Sequence, residues 1–281
     1  MIGDLINLGL EKDKVVIFAD MLGFSEKIKN MDLYQENINN SISGNKKTDG
    51  CIDDLDSLYN IITQKDNSKE IQESNGYTFR WISDSIILTS KYDNIGLILD
   101  KISNLSNTII TLGMIIRGGI SCGNLHDSDN IIGVPYIEAV ELEKMANYPR
   151  ILIHKDKYIK IKTHLCGEYE FMKEYFKPTE MDNYLEFDFI EYSICGGTSK
   201  VFSELALATY VDFFVKQMDD IIKKEKDIKI IEKYAWLGKK LLSIIDNYKD
   251  DYDKKENEIC EFKYSKQMID EIKKYKIIDI V

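Results

Sequence analysis

The sequence predicts an α+β domain with a mostly antiparallel sheet and helices on one face, extended by a helical C-terminal region. Three observations carry this reading. Short β-rich apolar runs alternate with longer stretches of helical periodicity, and two of the runs are close enough to form a hairpin. The element order is strand, helix, helix, hairpin, helix, strand, strand, helix, strand, which suits helices packed on a largely antiparallel sheet. From about residue 200 the composition shifts to Lys, Asp, Glu and helical spacing. The boundary is therefore set between 1–199 and 200–281.

The elements follow in order. Residues 14–20 read as a strand and 24–37 as an amphipathic helix entered through Gly23. Residues 39–50, NNSISGNKKTDG, are polar and Gly-bearing and read as a loop. Residues 51–64 return to helical spacing, with Ile52, Leu55, Leu58, Ile61 and Ile62 apolar. After a second polar break, YTFRW and SIILTS read as a hairpin with Ile82 to Asp84 at its turn. Residues 93–112 form a long helix whose apolar positions are Ile95, Leu97, Ile98, Ile102, Leu105 and Ile109. GMIIRGGIS is a strand, SCGNLHDSDN a turn, residues 136–146 a helix, and RILIH a strand. Beyond 200, Leu205, Ala208, Val211, Phe214 and Val215 make one apolar stripe, and KYAWLGKKLLSII a second helix.

Composition narrows the function. The 281 residues carry a formal net charge of -11, which repels nucleic-acid backbones and argues against a nucleic-acid partner. No apolar run reaches the roughly 18 residues of a membrane span, and MIGDLINLGLEKDK lacks the basic start of a secretory signal. Cys51, Cys122, Cys166, Cys195 and Cys260 are scattered without C-x-x-C spacing, which reads as free thiols in a reducing cytoplasm and no zinc site. His126, His154 and His164 are isolated.

The chemistry concentrates in VVIFADMLGFSEKI, residues 15–28, and FRWISDSIILTS, residues 79–90. Each is a β-rich run that ends or breaks at one aspartate, Asp20 or Asp84. An aspartate at a strand edge, beside a Gly turn and a helix start, suits a Mg²⁺-bound polyphosphate. The carboxylate is a hard oxygen ligand, and free N–H groups of the turn hold phosphate oxygens. Two such carboxylates brought together can hold two metals. Arginine points the same way. Of 37 Lys+Arg only Arg80, Arg117 and Arg150 are arginine, the residue suited to bidentate recognition of phosphate and base edges. Arg150 reads as a buried salt bridge. For Arg80 and Arg117 an ion pair with one of the many acids stands beside the ligand-binding reading.

These segments together resemble the class III nucleotidyl cyclases. FADMLGFSEKI is similar to their metal-binding opening, Phe-x-Asp-Ile-x-Gly-Phe-Ser/Thr. ISDSIIL resembles their second metal turn, with Ser83 where the family usually has Gly. IIRGGISCGNL resembles their Arg-x-Gly-Ile-x-x-Gly strand, and NIIGVPYIEAVELE their Gly-centred helix opening. The resemblance covers residues 14–155. It departs where the family has Asn and Arg on that helix, because Ile137 and Glu141 stand there. GVPYIEAVELEKMANYPRILI looks more like the pyrimidine cyclases of bacterial anti-phage (Pycsar) signalling.

The resemblance implies a cyclase catalytic domain over 1–199 with a class III cyclase-like sandwich fold. It implies that Asp20 and Asp84, with the carbonyl of Met21, bind two Mg²⁺ or Mn²⁺ ions. The backbone of Leu22, Gly23, Phe24 and Ser25 would cradle the β- and γ-phosphates, with a plain N-cap as the alternative for Ser25. Arg117 matches the position that contacts the triphosphate. Arg80 and Asn130 match the two base-selecting positions. Their hydrogen bonds fit cytosine or uracil, and UTP is the substrate the resemblance favours over CTP. It further implies a homodimer whose two sites take metal residues from one chain and base residues from the other, and a cyclic-nucleotide-responsive effector downstream. A catalytically inactive cyclase-like domain used for nucleotide sensing or dimerisation is the alternative from another class, and a purine cyclase is a third.

Overall fold

The computed structural model describes residues 9–25, 27–29, 76–196, 204–224, 228–253 and 263–275. The sequence readings over 30–64, the two polar breaks around them, and Cys51 and Cys260 lie outside these residues.

The strands are β1 (Glu11–Leu22), β2 (Tyr77–Ile82), β3 (Ser85–Lys91), β4 (Ile115–Asp127), β5 (Ile131–Ile132), β6 (Ile151–His154), β7 (Phe176–Pro178) and β8 (Tyr184–Phe187). They form one sheet in the order β2-β3-β1-β4-β6-β8-β7, with β5 paired to the end of β4. All pairs are antiparallel except β4 with β6. The α+β class with a mostly antiparallel sheet is therefore as the sequence predicted.

β1 has partners on both sides, so it is buried on both faces, and its side chains sort by period two. Val15, Ile17, Ala19 and Met21 enter the main core. That core also holds Ile95, Ile98, Leu99, Ile102, Leu105 and Ile109, the stripe of helix α1 (Ile95–Thr111). Val16 and Phe18 face the other way, against Ala139 and the partly buried Tyr136 and Val140 of helix α2 (Val134–Met145). Helices thus cover both faces of the sheet, where the sequence placed them on one. The small residues of β4 permit this: a Cβ on Gly119 would lie 2.4 Å from the carbonyl oxygen of Ala139 and 2.4 Å from Cβ of Leu142. Strand β4 itself runs six residues further than expected, to Asp127, because Lys14 and Glu11 of β1 continue to pair with Gly123 and Leu125.

The β2–β3 turn is Ser83–Asp84, closed by the pair Ile82 and Ser85. Ser83 takes φ +57°. That left-handed conformation is the one glycine adopts without steric cost, so serine here holds a turn geometry that favours glycine.

Two short helices, α3 (Lys155–Ile161) and α4 (Phe189–Cys195), flank the second half of the sheet. The side chain of Asp188 caps α4 by accepting from the Glu191 N–H at 3.0 Å. Helices α5 (Glu204–Lys224), α6 (Ile228–Asp253) and α7 (Lys263–Lys273) follow. Leu207, Tyr210, Phe214, Leu237, Leu241 and Ile272 from these helices belong to the same buried cluster as the sheet and α1. The Tyr210 hydroxyl lies 3.2 Å from the Ser106 hydroxyl on α1.

Candidate active site

The end of β1 and the β2–β3 turn meet. The Met21 N–H donates to the Asp84 carbonyl at 2.9 Å, so the two aspartates predicted to act together are carried on backbones tied by one hydrogen bond. Asp20 pairs across the sheet with Ser85 on one side and Arg117 on the other. The Nη2 of Arg117 is 3.7 Å from Oδ2 of Asp20. Its Nε lies 2.7 Å from Oε1 of Glu143, a buried acid on α2. Arg117 therefore forms the ion pair with an acid that the sequence offered as one of its two readings, and it lies beside Asp20 as well.

β1 ends at Leu22, and Gly23 turns the chain at φ +95°, where an L side chain would be strained. Helical backbone begins at Phe24, and the Gly23 carbonyl accepts from the Lys27 N–H at 3.0 Å. Gly23 thus holds the capping position, and Ser25 sits inside the first turn, exposed. Leu22 and Phe24 pack against the main core.

The electrostatics of this corner are unbalanced. Burial, then the charges of Glu143 and Asp84, push the Asp20 carboxyl up to about 6, with Arg117 and Lys233 opposing them. Lys233 lies on α6, and its ammonium is pushed down by burial and by Arg117, against the pull of Asp20 and Glu143. A half-buried carboxylate that its own acidic neighbours discourage from ionising suits an added divalent cation. Hard oxygen donors in an acidic corner are the donor set Mg²⁺ or Mn²⁺ takes, so the residues present fit such an ion. Glu143 and Lys233 were not singled out from the sequence. The first is one of 48 Asp+Glu, and the second lies more than 110 residues beyond Arg117 on an ordinary amphipathic helix.

This arrangement has a pH signature. Because the Asp20 pKa rises on folding, the folded chain holds its proton more tightly than the unfolded chain. Without metal, stability falls as pH rises from about 4 to about 6 and stays reduced above that. At 1.36 kcal/mol per pH unit the penalty at neutral pH is on the order of 2–3 kcal/mol. Asp20→Asn is expected to stabilise the metal-free protein by roughly 1–2 kcal/mol near pH 7.5, with the gain vanishing near pH 4. Urea denaturation at both pH values measures it. An equal difference at the two would show that Asp20 is not the titrating group.

The predicted base-selecting residues form a second cluster. Arg80 on β2 places Nη1 2.8 Å from Oδ1 of Asp127, whose side chain is fully buried at the end of β4. Arg80 also donates to the Thr78 hydroxyl at 3.2 Å and to the Ser128 carbonyl. Thr78 and Thr89 both donate to Oδ2 of Asp127, and Lys14 Nζ is 3.9 Å away. The Ser128 N–H in turn meets the Asn130 carbonyl at 3.3 Å. Arg80 is thereby docked on the turn that carries Asn130. Thr89 pairs with Val16, four residues from Asp20. At about 3.3 Å per residue, roughly 13 Å of strand separates the two clusters.

The departures from the cyclase pattern are exposed. Residues Glu138, Ala139, Leu142 and Glu143 turn α2 toward the sheet, with Glu138 accepting from Ser121 and held 2.6 Å from Lys157. Ile137, 58% exposed, and Glu141 lie on the opposite side of α2. Arg150 is the buried salt bridge expected of it, meeting Glu180 at 2.8 and 2.6 Å. Among the described residues Cys122, Cys166 and Cys195 are free thiols, and no group of three or more metal-ligating His, Cys, Asp or Glu residues occurs. No described helix is long and apolar enough to cross a membrane.

No family model matches the chain, and no curated protein does. Among solved structures it is similar to the adenylyl cyclase CyaB from P. aeruginosa, at 17% identity over 63% of this chain and 93% of that one, with a TM-score of 0.36. It is similar to the guanylyl cyclase domain of the RhoGC fusion protein from the aquatic fungus Blastocladiella emersonii, at 17% identity over 63% and 96%, with a TM-score of 0.35. The guanylyl cyclase Cya2 gives 12% identity over 63% and 91%, with a TM-score of 0.34. Likeness of this degree assigns no activity to this chain.

Proposed function

We propose that this protein is a pyrimidine nucleotide cyclase that converts UTP, and less readily CTP, to the 3′,5′-cyclic monophosphate and diphosphate, as a signal in anti-phage defence. The observation that carries the reading is the junction of β1 with the β2–β3 turn. It sets Asp20 and Asp84 side by side at the mouth of a glycine turn, with Arg117 against Asp20.

In this reading Asp20 and Asp84, with the Met21 carbonyl, hold Mg²⁺ or Mn²⁺. Such ions lower the pKa of a ribose 3′-hydroxyl and neutralise a triphosphate. The chain's own residues do the rest. The N–H groups after Leu22, through Gly23, Phe24 and Ser25, face the terminal phosphates. Arg117, steadied by Glu143, supplies a fixed cation beside them. The 3′-oxygen attacks the α-phosphorus, the bond to the bridging oxygen breaks, and diphosphate leaves.

Base choice falls to Arg80 and the Asn130 turn. Arg80 has two roles here: its guanidinium offers donors to a base edge, and its bond to the Ser128 carbonyl holds Asn130 in place. The selecting and metal-binding clusters sit roughly 13 Å apart along one sheet, which suits a head-to-tail homodimer in which each site combines one cluster from each chain. Val134 and Ile137, 64% and 58% exposed on the outer side of α2, offer the apolar surface for that contact.

Incubation of the purified protein with Mn²⁺ and each ribonucleoside triphosphate, with product identified by mass spectrometry, tests the reading. Cyclic UMP is expected first and cyclic CMP second. Cyclic AMP or cyclic GMP as the main product would replace it with a purine cyclase. No product from any of the four would point to an inactive, nucleotide-sensing domain.

A further inference from the structure

The cyclase pattern leaves α2 without its arginine, since Glu141 stands there and is exposed. The site's other arginine, Arg117, already has Nε committed to Glu143. A further cation that interacts with Asp20 and Glu143 comes from the C-terminal helices. On α6, Lys233, Trp236 and Lys240 stand at i, i+3 and i+7, one face of the helix. Two of these are anchored by direct contacts. Lys240 pairs with Glu186 of β8 at 2.9 Å and with the buried Asp188. The Trp236 ring stacks on Tyr148, with centroids 5.4 Å apart and planes 1° from parallel. Tyr148 lies two residues before Arg150, whose carbonyl accepts from the Gly118 N–H at 2.9 Å, next to Arg117.

These contacts set the course of the helix. From Lys240 back to Lys233, α6 rises about 10.5 Å. From β8 through β6 to β4 is two strand spacings, about 9.6 Å. The helix therefore crosses the strand ends from β8 toward β4 and delivers Lys233 to Arg117 and Asp20, the groups with which it interacts electrostatically, together with Glu143. Among the described residues Lys233 forms no ion pair of its own, so its ammonium remains to be used by a ligand.

We propose that Lys233 is a triphosphate-contacting residue of the nucleotide site, supplied by the C-terminal helices to the corner formed by Asp20, Asp84 and Arg117. The proposal rests on the cyclase reading for the identity of the nucleotide but not for the presence of a phosphate chain. An ammonium against phosphate oxygens in a half-buried corner makes a charge-assisted hydrogen bond, and its loss weakens binding by on the order of tenfold to a hundredfold.

Two measurements test it with inorganic tripolyphosphate and Mg²⁺ as the probe. In calorimetry, Lys233→Met should raise the Kd by that factor, Lys233→Arg should recover most of the affinity, and Lys239→Met, on the exposed side of the same helix, should bind as the wild type does. In the unmutated protein, acetylation of Lys233 followed by mass spectrometry should be suppressed by the probe while that of Lys239 is not, which decides the matter even if Lys233→Met does not fold. Unchanged affinity in folded Lys233→Met, or acetylation of Lys233 indifferent to the probe, overturns the proposal. Should the wild type cyclise a nucleotide while Lys233 stays unprotected, the proposal falls and the cyclase reading stands. Protection of Lys233 without cyclisation of any nucleotide has the opposite meaning: the phosphate site stands and the cyclase reading falls.

Discussion

Asp20→Ala and Asp84→Ala are each expected to abolish cyclisation, with losses on the order of a thousandfold or more, while leaving the fold in place. Each removes a carboxylate that the proposed function assigns to the metal but little packing, since Asp20 lies at the sheet's end and Asp84 in a two-residue turn. Asp20→Ala also relieves the crowding of acids that raises the Asp20 carboxyl, so its metal-free thermal midpoint should equal or exceed that of the wild type. Product formation under saturating Mn²⁺ and a thermal melt, run on the same preparations, check both halves. Wild-type turnover by either variant would refute the assignment of the two aspartates. Loss of turnover accompanied by a collapsed melt would show a structural role instead.

Arg80→Ala should have the largest effect on stability. The Asp127 carboxylate is fully buried, and Arg80 is its closest cation, with Lys14 more than an ångström further away. Removing one partner of such a pair leaves a buried charge uncompensated, at a cost of about 3–5 kcal/mol when both groups are sealed from water. Arg80 is partly exposed, so roughly 2–3 kcal/mol is expected. Asp127→Asn introduced with Arg80→Ala should restore more than half of the loss, because the charge goes with its partner. Chemical denaturation of the two single variants and the double variant forms the cycle. A cost below about 0.5 kcal/mol for Arg80→Ala would show that water replaces the guanidinium without penalty. The coupling also bears on base selection. Arg80→Ala removes both the base-facing guanidinium and its bond to the Ser128 carbonyl, so a loss of discrimination between UTP and CTP reports the two together.

The strands were legible in the sequence because a short continuous run of β-branched and aromatic apolar residues marks a strand buried on both faces, as at Val15 to Ala19. The turn at Gly23 was legible because its backbone conformation requires that residue. That Asp20 and Asp84 act together was implied by the resemblance of their two segments to the cyclases, since each run by itself shows only that it stops at an acid. What escaped reading was long-range. β4 continues through Gly123, Asn124 and His126, residues that look like a loop, because pairing with β1 outweighs their weak strand preference. Asp127 therefore became a buried anchor for Arg80 where a polar turn was expected. α2 crosses to the second face of the sheet because Gly119 leaves room for it, a fact of close approach that no periodicity encodes. Glu143 and Lys233 carry no local mark at all: each is one charged residue on an amphipathic helix, and only the packing of α2 and α6 aims them at Asp20.

The single buried cluster that joins the sheet to α5, α6 and α7 has a consequence for how the protein is made. A nascent chain emerges from its N-terminal side first, so both aspartates and Arg117 leave the ribosome well before Leu207, Phe214, Leu237 and Ile272. Until those side chains arrive, the part of α1 around Ser106 that faces Tyr210 has no cover, and the strand ends lie open. A half-synthesised chain is thus a sticky one. Its maturation on the ribosome calls for shielding of that surface until α5, α6 and α7 dock.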